Sequence, residues 1–397
     1  MSYFSNLRVS NDSLNYAARL PVASETIIFD AKHLKDKLSN FFDEYLSGAA
    51  TSVHNTNLVT MSVTSGTDTA IRKTFMSFNY FSGVPINYYF TFSNFESQTS
   101  VVKEFGCFSA ANVAPYNTLY DGVRIYTDDT TAYFSVNRGG TLLANIPQSA
   151  WLNGGDALDL SKGQVFKIQY LWLGFAGVKL FAEINGNFVL IAKYKSANVD
   201  SIPFFNSPNK PIRYGIRSTG GAGTFNMVCS SVAYENSLSD VKLGSDYNIS
   251  TDLTPLPLFN NTGTRYIAGA IRLKSTHLDM STILGLLYAQ SSSNDDSRIE
   301  IWYGGTPSAA LTFTAIPNRN VEVFIAPTTA TITHTAPSAD NKIGSRYFRQ
   351  STTTEVEFDG KRRMGATLSG VSDVIYIVII PQNTGLLAGF SLNLIDL

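Results

Sequence analysis

The four histidines of the chain are the first residues to weigh for catalysis or metal binding. They are His33, His54, His277 and His334, and they stand far apart in the sequence. None has the H-x-H or H-E-x-x-H spacing that zinc sites use. No G-x-S-x-G elbow is present, and neither cysteine has a neighbouring base in sequence. The histidines therefore indicate surface or hydrogen-bonded core positions rather than a metal site or a catalytic base.

Paired carboxylates would suit glycosidase chemistry, which needs two acids projecting inward from facing strands. Glu183 and Glu300 lie within predicted strands. Glu183 shares one strand face with Lys179 and Phe181, opposite the apolar residues of that strand, so a solvated face explains it. No E-x-D-x-E run exists. We therefore predict no catalytic residues and expect the protein not to be an enzyme.

Two glycine-rich segments could hold an ion or a phosphate. Asn153–Asp159 offers oxygen ligands of the kind that Ca²⁺ prefers, but it lacks the D-x-D-x-D-G signature. A turn capped by an aspartate explains this segment more simply. Gly220–Gly223 is followed by no Gly-Lys-Ser/Thr sequence and by no predicted helix, which indicates a hairpin tip. We therefore predict no cofactor and no metal ion.

The charge and composition of the chain limit the classes of partner that it is expected to bind. The chain has 397 residues, with 30 Lys and Arg against 31 Asp and Glu, and only 15% of its residues are charged. This balance gives no electrostatic footprint for nucleic acid or an anionic membrane. No secretory signal follows Met1, and the apolar run Val374–Ile380 is too short to span a bilayer. We expect a soluble protein made in the cytoplasm, with no membrane insertion. Cys107 and Cys229 could form one bridge or remain two free thiols.

Strand patterns dominate from about residue 60 to 235. Val178–Ile184 and Phe188–Lys193 flank Asn185-Gly186, and an Asn-Gly pair between two such runs predicts a type I′ hairpin. Many short strands with polar turns and no long helix indicate an antiparallel sandwich. A second region of strands follows a looser stretch, and it ends with Val374–Ile380, which we interpret as a strand buried on both faces.

One segment near the N-terminus has helical periodicity. Between residues 31 and 46, apolar side chains recur at helical spacing, Asp30 is a suitable N-cap and Gly48 a suitable stop. We predict an amphipathic helix here. It either packs on its own domain or projects as a docking element through the stripe Leu38, Phe41 and Tyr45. The predicted organisation is an N-terminal arm over 1–59, a jelly-roll domain over 60–240 and a C-terminal β domain over 250–397.

The densest group of motifs lies between Trp151 and Ile216. It comprises Asp159–Tyr170, Leu171–Val178, Ile184–Gly186, Ser196–Asn198 and Ser207–Tyr214. This succession resembles a family of virion structural proteins of tailed phages and large DNA viruses, whose common domain is a concanavalin A-like (laminin-G-like) jelly roll. The resemblance covers roughly residues 60–235 and implies no catalytic residues. The family's Tyr-Glu-Ile is Tyr214-Gly215-Ile216 here, so any role of that acid is absent. Within the motifs, Trp172 is expected to anchor the core on a central strand, and Gly174 and Gly177 to permit a tight turn.

The resemblance implies a non-enzymatic virion structural protein, located in the virion. We expect an accessory capsid component, such as a decoration protein or a head fibre, or else a tail or baseplate fibre component. Its partners would be major capsid or tail proteins. Low surface charge and many aromatic residues favour a homo-oligomer, possibly a trimer. The alternative is a lectin-like carbohydrate-binding module that recognises glycans on a host surface.

Overall fold

The computed structural model describes residues 25–235, 245–251, 256–291, 297–349, 354–357 and 363–396. These residues fall into two compact units, divided between residues 241 and 242. The described residues form strands and three short 3₁₀ turns, at Gln148–Ala150, Gly155–Ala157 and Ala339–Asn341, and no α-helix. Among them, no helix is long and apolar enough to cross a membrane.

The described residues of the first unit form fifteen strands. In chain order they are β1 (Thr26–Lys32), β2 (Phe42–Ser47), β3 (Thr51–Asn55), β4 (Leu58–Val63), β5 (Thr69–Thr74), β6 (Ile86–Ser93), β7 (Val101–Ser109), β8 (Asp121–Thr127), β9 (Ala132–Arg138), β10 (Thr141–Pro147), β11 (Gln164–Leu171), β12 (Gly177–Ile184), β13 (Asn187–Lys195), β14 (Ile212–Ser218) and β15 (Gly223–Tyr234).

These strands form two antiparallel sheets. One has the order β13-β12-β11-β6-β15-β4-β3, with β1 also paired to β15, and the other has the order β10-β9-β8-β7-β14-β5-β2. Apolar side chains from both sheets fill a single core. Phe105 of the second sheet packs against Phe92 of the first, with ring centroids 4.4 Å apart, and against Phe90 at 5.1 Å. The prediction of an all-β, antiparallel jelly-roll sandwich is therefore confirmed.

The hairpin predicted at Asn185-Gly186 is confirmed. It joins β12 to β13, and both turn residues have positive φ, 53° and 84°. This is the backbone conformation of a type I′ turn, which matches the twist of the flanking strands.

The helix predicted over residues 31–46 is wrong, and the stripe of Leu38, Phe41 and Tyr45 is not a helix face. The segment is the end of β1, a bend in which Leu38 has φ of 52°, and then β2. Leu38 and Phe41 pack against the core, whereas Tyr45 lies on the opposite side of its sheet. Two short strands joined by a bend also place apolar residues three and four positions apart. The apolar spacing of this segment therefore does not require a helix.

The second unit is also a sandwich. Its strands are β16 (Ser245–Ser250), β17 (Leu258–Phe259), β18 (Tyr266–Leu273), β19 (Thr282–Ser291), β20 (Ser297–Tyr303), β21 (Thr306–Pro307), β22 (Thr314–Ala315), β23 (Val321–Ile325), β24 (His334–Thr335), β25 (Lys342–Phe348), β26 (Thr354–Glu357), β27 (Val374–Ile380) and β28 (Leu386–Asp396). One sheet has the order β16-β28-β19-β26, with β17 on β28, and a six-stranded sheet has the order β22-β23-β18-β27-β20-β25. Apolar residues of both sheets share a core, so the predicted C-terminal β-sandwich is confirmed.

The run Val374–Ile380 is buried on both faces, as its composition predicts. Ile375, Ile377 and Ile379 belong to the core between the two sheets. Tyr376 and Val378 belong to a separate apolar cluster on the other face of the same strand. A continuous apolar run is what two-sided burial requires.

Candidate functional site

The candidate site lies on the outer face of the seven-stranded sheet of the first unit. Successive residues of a strand point to opposite faces. On β7, Phe105 and Cys107 lie in the core, so Glu104 faces outward. The strand register aligns Glu104 with Tyr126 of β8, which in turn aligns with Tyr133 of β9. A polar and aromatic row therefore crosses the outer face.

A buried ionic network holds the centre of this face. The Arg124 Nη1 donates a hydrogen bond of 3.0 Å to the Glu104 carboxylate, and Arg213 Nε lies 4.0 Å from its other oxygen. All three side chains are at least nine-tenths buried. Burial favours the neutral acid, but the positive charges of Arg124, Arg213 and Arg217 outweigh it and lower the pKa of Glu104. Glu104 is therefore a fixed anion and is poorly suited to donate a proton.

Three tyrosines surround this network, and we call Tyr120, Tyr126 and Tyr133 the tyrosine cluster. The guanidinium carbon of Arg124 lies 3.9 Å from the ring centroid of Tyr120 and 4.1 Å from that of Tyr126. Tyr126 stacks on Tyr133 with centroids 5.1 Å apart and planes inclined by 18°. Such cation–π and stacking contacts fix ring positions. The tyrosine cluster is therefore a rigid aromatic surface that remains partly open to solvent.

Hydrogen-bonding groups border the tyrosine cluster. The Tyr126 hydroxyl donates to Asn145 Oδ1 at 3.2 Å, and Asn145 is exposed on β10. Arg217 of β14 is half-buried, and its charge acts on Glu104 and on Tyr120. Burial, the largest cause, raises the pKa of Tyr120 to about 12, so the phenol stays protonated at neutral pH. The surface thus presents aromatic faces beside amide, hydroxyl and guanidinium groups.

The loop over residues 110–120 covers the other side of this face. Arg213 donates a hydrogen bond to the Tyr116 carbonyl oxygen. The ring of Tyr116 meets the ring of Tyr45 edge-on, with centroids 4.9 Å apart. Ile71 also lies on the outer face by its register with Tyr45, yet it is only 2% exposed. The accessible part of the face is therefore the side formed by β8, β9 and β10.

The two carboxylates on the strands of this face stand too far apart for glycoside hydrolysis. Among the residues of its seven strands, the register places Asp43 and Glu104 outward. Three strand spacings separate β2 from β7, which amounts to about 14 Å at about 4.8 Å per spacing. Glycosidases hold their carboxyl groups about 5–9.5 Å apart. The two strand carboxylates of this face therefore do not form a pair with the spacing of a glycosidase.

The residues predicted as core anchors lie at one end of the sandwich. Trp172 follows β11 instead of standing within it, and it is half-buried against the core with Tyr80 edge-on at 6.2 Å. Trp151 is the more deeply buried indole of the core, at 4% exposure. Gly174 and Gly177 have φ of 78° and 151°, and Ala176 N donates to Trp172 O at 3.0 Å, which closes a tight turn. The structure does not bring these residues to the tyrosine cluster.

The segment Asn153–Asp159 forms a turn stabilised within the protein. Asn153 Nδ2 donates to Leu190 O at 2.9 Å, and the Asp159 carboxylate accepts bonds from the backbone and hydroxyl of Ser161. These contacts are those of the aspartate-capped turn. Across the described ranges, no three His, Cys, Asp or Glu side chains group as metal ligands would. Cys107 and Cys229 are free thiols.

Sequence reasoning missed the tyrosine cluster and its ionic network. Arg124 and Tyr126 alternate within one strand, so the sequence does place them on a common face. Tyr133 follows in the next strand of the same hairpin, so Tyr126 and Tyr133 are local neighbours. That their face is the outer one, and that Glu104 and Arg213 meet on it, depends on the pairing of β7 with β14, which lie more than 100 residues apart. A single sequence carries no signal for such pairings.

The sequence matches no family model and no curated protein. Solved structures similar to this chain include a Bacillus licheniformis β-glucanase, at 13% identity and a TM-score of 0.36, covering 54% of this chain and 98% of the glucanase. A legume lectin-like domain from Entamoeba histolytica is similar at 11% identity and a TM-score of 0.35, covering 53% of this chain and 98% of that domain. The VIP36 exoplasmic/lumenal domain in its Ca²⁺/Man3GlcNAc-bound form shows 9% identity and a TM-score of 0.36, covering 53% of this chain and 89% of that domain.

Proposed function

We propose that the first unit is a carbohydrate-binding module and that it binds sugar rings on the tyrosine cluster without cleaving them. The observation that carries this proposal is the near-parallel stack of Tyr126 and Tyr133 on an accessible sheet face. A tyrosine offers a large, rigid, amphipathic surface at low cost in conformational entropy. A sugar ring has an apolar face of C–H groups and a rim of hydroxyls, which matches an aromatic face bordered by hydrogen-bonding groups.

The network beneath the tyrosines supports a binding role. Arg124 contacts Tyr120 and Tyr126 and is itself held by Glu104. The rings are therefore positioned before a ligand arrives, and preorganisation of this kind reduces the entropy lost on binding. Asn145 and Arg217 supply donors and acceptors on the same face, as its register shows. Glu104 is occupied by arginines, which favours binding over hydrolysis.

The test is a glycan array followed by calorimetry with the best ligand, using the full chain. We expect Tyr133→Ala to weaken binding at least tenfold, because it removes one ring of the stack. Tyr89→Ala is the matched control, since Tyr89 is a half-buried strand tyrosine on the outer face of the opposite sheet, beside Phe188. Absence of binding to any glycan, or equal losses in both variants, would refute the proposal.

The virion role that the sequence resemblance implies stays a prediction about where this module works. A particle protein that recognises host glycans would combine both roles. Mass spectrometry of purified particles tests the location independently of the glycan array. Light scattering at micromolar concentration tests the predicted homo-oligomer, and a clean monomer would contradict it.

A further inference from the structure

A second charged cluster lies in the C-terminal unit, around Glu300 of β20. Ile299 and Ile301 of that strand belong to the core between the two sheets, so Glu300 and Trp302 lie on the other face. Glu300 has no exposed surface, although it is surrounded by side chains that reach solvent. A buried carboxylate needs partners, and these partners define the cluster.

Three cations share this one carboxylate. Lys342 Nζ donates to Glu300 Oε1 at 2.9 Å, and Arg298 Nε lies 3.1 Å from the same oxygen. Arg265 Nε lies 3.4 Å from Oε2, which also accepts a 2.9 Å bond from the indole of Trp302. The pairs among the described residues therefore leave two positive charges without a matching anion. Arg272 and Glu322, on the same six-stranded sheet, form a one-to-one pair instead.

The guanidinium groups of Arg265 and Arg298 carry N–H donors that form no hydrogen bond to Glu300. Both approach Glu300 through Nε without hydrogen-bond geometry, and both Nε atoms are buried without an acceptor. Within the described part of the chain, the side chains of Arg265 and Arg298 donate no hydrogen bond. Most arginines that are held by a carboxylate use their donors on it, since a guanidinium matches a carboxylate in a planar, two-bond arrangement.

The cations also have access to solvent. The side chains of Arg265, Arg298 and Lys342 are 41%, 33% and 33% exposed. The ring of Trp302 lies beneath two of them, with Lys342 Nζ at 5.0 Å and Arg265 Cζ at 5.7 Å from its centroid. Arg298 lines a shallow cleft of about 330 Å³, together with Thr262, Gly263, Tyr347, Ile380 and Pro381. This size lies within the range of small-ligand sites.

We propose that Arg265, Arg298 and Lys342 form a binding site for an oxyanion of the sulfate or phosphate type. Glu300 is the internal anchor that holds the three cations together, and the incoming oxyanion accepts the donors that Glu300 leaves unused. The cations lower the pKa of Glu300 against the effect of its burial, which keeps the anchor charged at neutral pH. The site belongs to a different unit from the tyrosine cluster and does not depend on sugar binding there.

The experiment is calorimetric titration of the full chain with sodium sulfate at constant ionic strength, chloride being the exchanged anion. We expect saturable binding that Arg298→Gln and Arg265→Gln each weaken about tenfold or more, as loss of a charged hydrogen-bond donor implies. Arg272→Gln removes a cation from the same sheet outside the cluster and should leave sulfate binding unchanged. Circular dichroism confirms that each variant is folded.

A second arm distinguishes a free ion from an oxyanion carried on a larger ligand. A sulfated oligosaccharide and its unsulfated equivalent are titrated in the same way. Tighter binding of the sulfated form than of inorganic sulfate, lost in Arg298→Gln, assigns the site to sulfated saccharides, and equal affinity assigns it to the free ion. A sulfate effect no larger than that of chloride, or one that persists in both cluster variants, overturns the proposal.

Discussion

Acidification is expected to destabilise the first unit through His33. This histidine has no exposed surface, and its Nε2 lies 3.1 Å from the Tyr214 hydroxyl. The same hydroxyl accepts a 2.7 Å bond from Arg72, whose charge is held by Glu44. Burial is the main cause that lowers the pKa of His33 to about 4, and the positive charge of Arg72 adds to it. The folded protein therefore keeps His33 neutral.

The sign of the effect follows from proton binding. The pKa of His33 is lower in the folded than in the unfolded chain, so between pH 6.5 and 4 the unfolded state binds more protons. Stability from this group is complete above pH 6.5 and declines as the pH falls toward 4. At 1.36 kcal/mol per pKa unit, the difference between 6.5 and about 4 amounts to about 3 kcal/mol. Arg72, Glu44, Lys37, Asp36 and His54 are the charged or titratable groups around His33.

The assay is urea denaturation of the wild-type chain and of His33→Gln at pH 7.5, 6.5, 5.5 and 4.5. Carboxylates titrate in both proteins, so only the difference between the two curves reports on His33. We expect the wild-type chain to lose about 2.5 kcal/mol more than the variant between pH 7.5 and 4.5, most of the full effect. His277→Gln, in the second unit, should follow the wild-type curve. Parallel curves for the wild type and His33→Gln would refute the reasoning.

Three further outcomes follow from the same contacts. Glu104→Gln should lower the free energy of unfolding by about 3–5 kcal/mol, because it leaves buried Arg124 and Arg213 without their anion. The exposed Glu183→Gln is its control in the same urea assay, and equal small losses in both would contradict the network. Changing Leu38 and Phe41 together to serine should lower the free energy of unfolding by about 2–4 kcal/mol, since both pack on the core. An unchanged melting temperature would contradict this packing and would favour the docking role that the sequence suggested. At pH 8, iodoacetamide should modify Cys229 before Cys107, whose burial raises its pKa to about 12, and mass spectrometry showing equal rates would contradict this order.

The fold could be predicted from the sequence wherever a pattern was local. Asn185-Gly186 specifies its turn through two residues that tolerate positive φ. Val374–Ile380 indicates two-sided burial because every position is apolar or aromatic. The segment over residues 31–46 shows the opposite case: Phe42 is buried in a strand, whereas Leu34 is 60% exposed and could not belong to a buried helical stripe. Periodicity alone does not separate a helix from two strands joined by a bend.

The candidate sites could not be predicted in full, because the ionic centre of each is made by pairing between segments far apart in the sequence. Glu104 meets Arg213 across more than 100 residues, and Glu300 meets Lys342 across 42. The sequence shows Glu300 between Arg298 and Trp302, two residues away on either side, which places the three on one face of a strand. The sequence does not show that the Glu300 carboxylate is buried on this face while the cations around it reach solvent. That distinction depends on which strands lie beside β20.

The most direct test of sugar binding is a crystal structure of the full chain with the best ligand from the glycan array. The account predicts a sugar ring packed on Tyr133 at the edge of the tyrosine cluster, with hydroxyls bonded to Asn145 or Arg217. Density for the sugar elsewhere on the protein, with the Tyr126–Tyr133 stack empty, would contradict it.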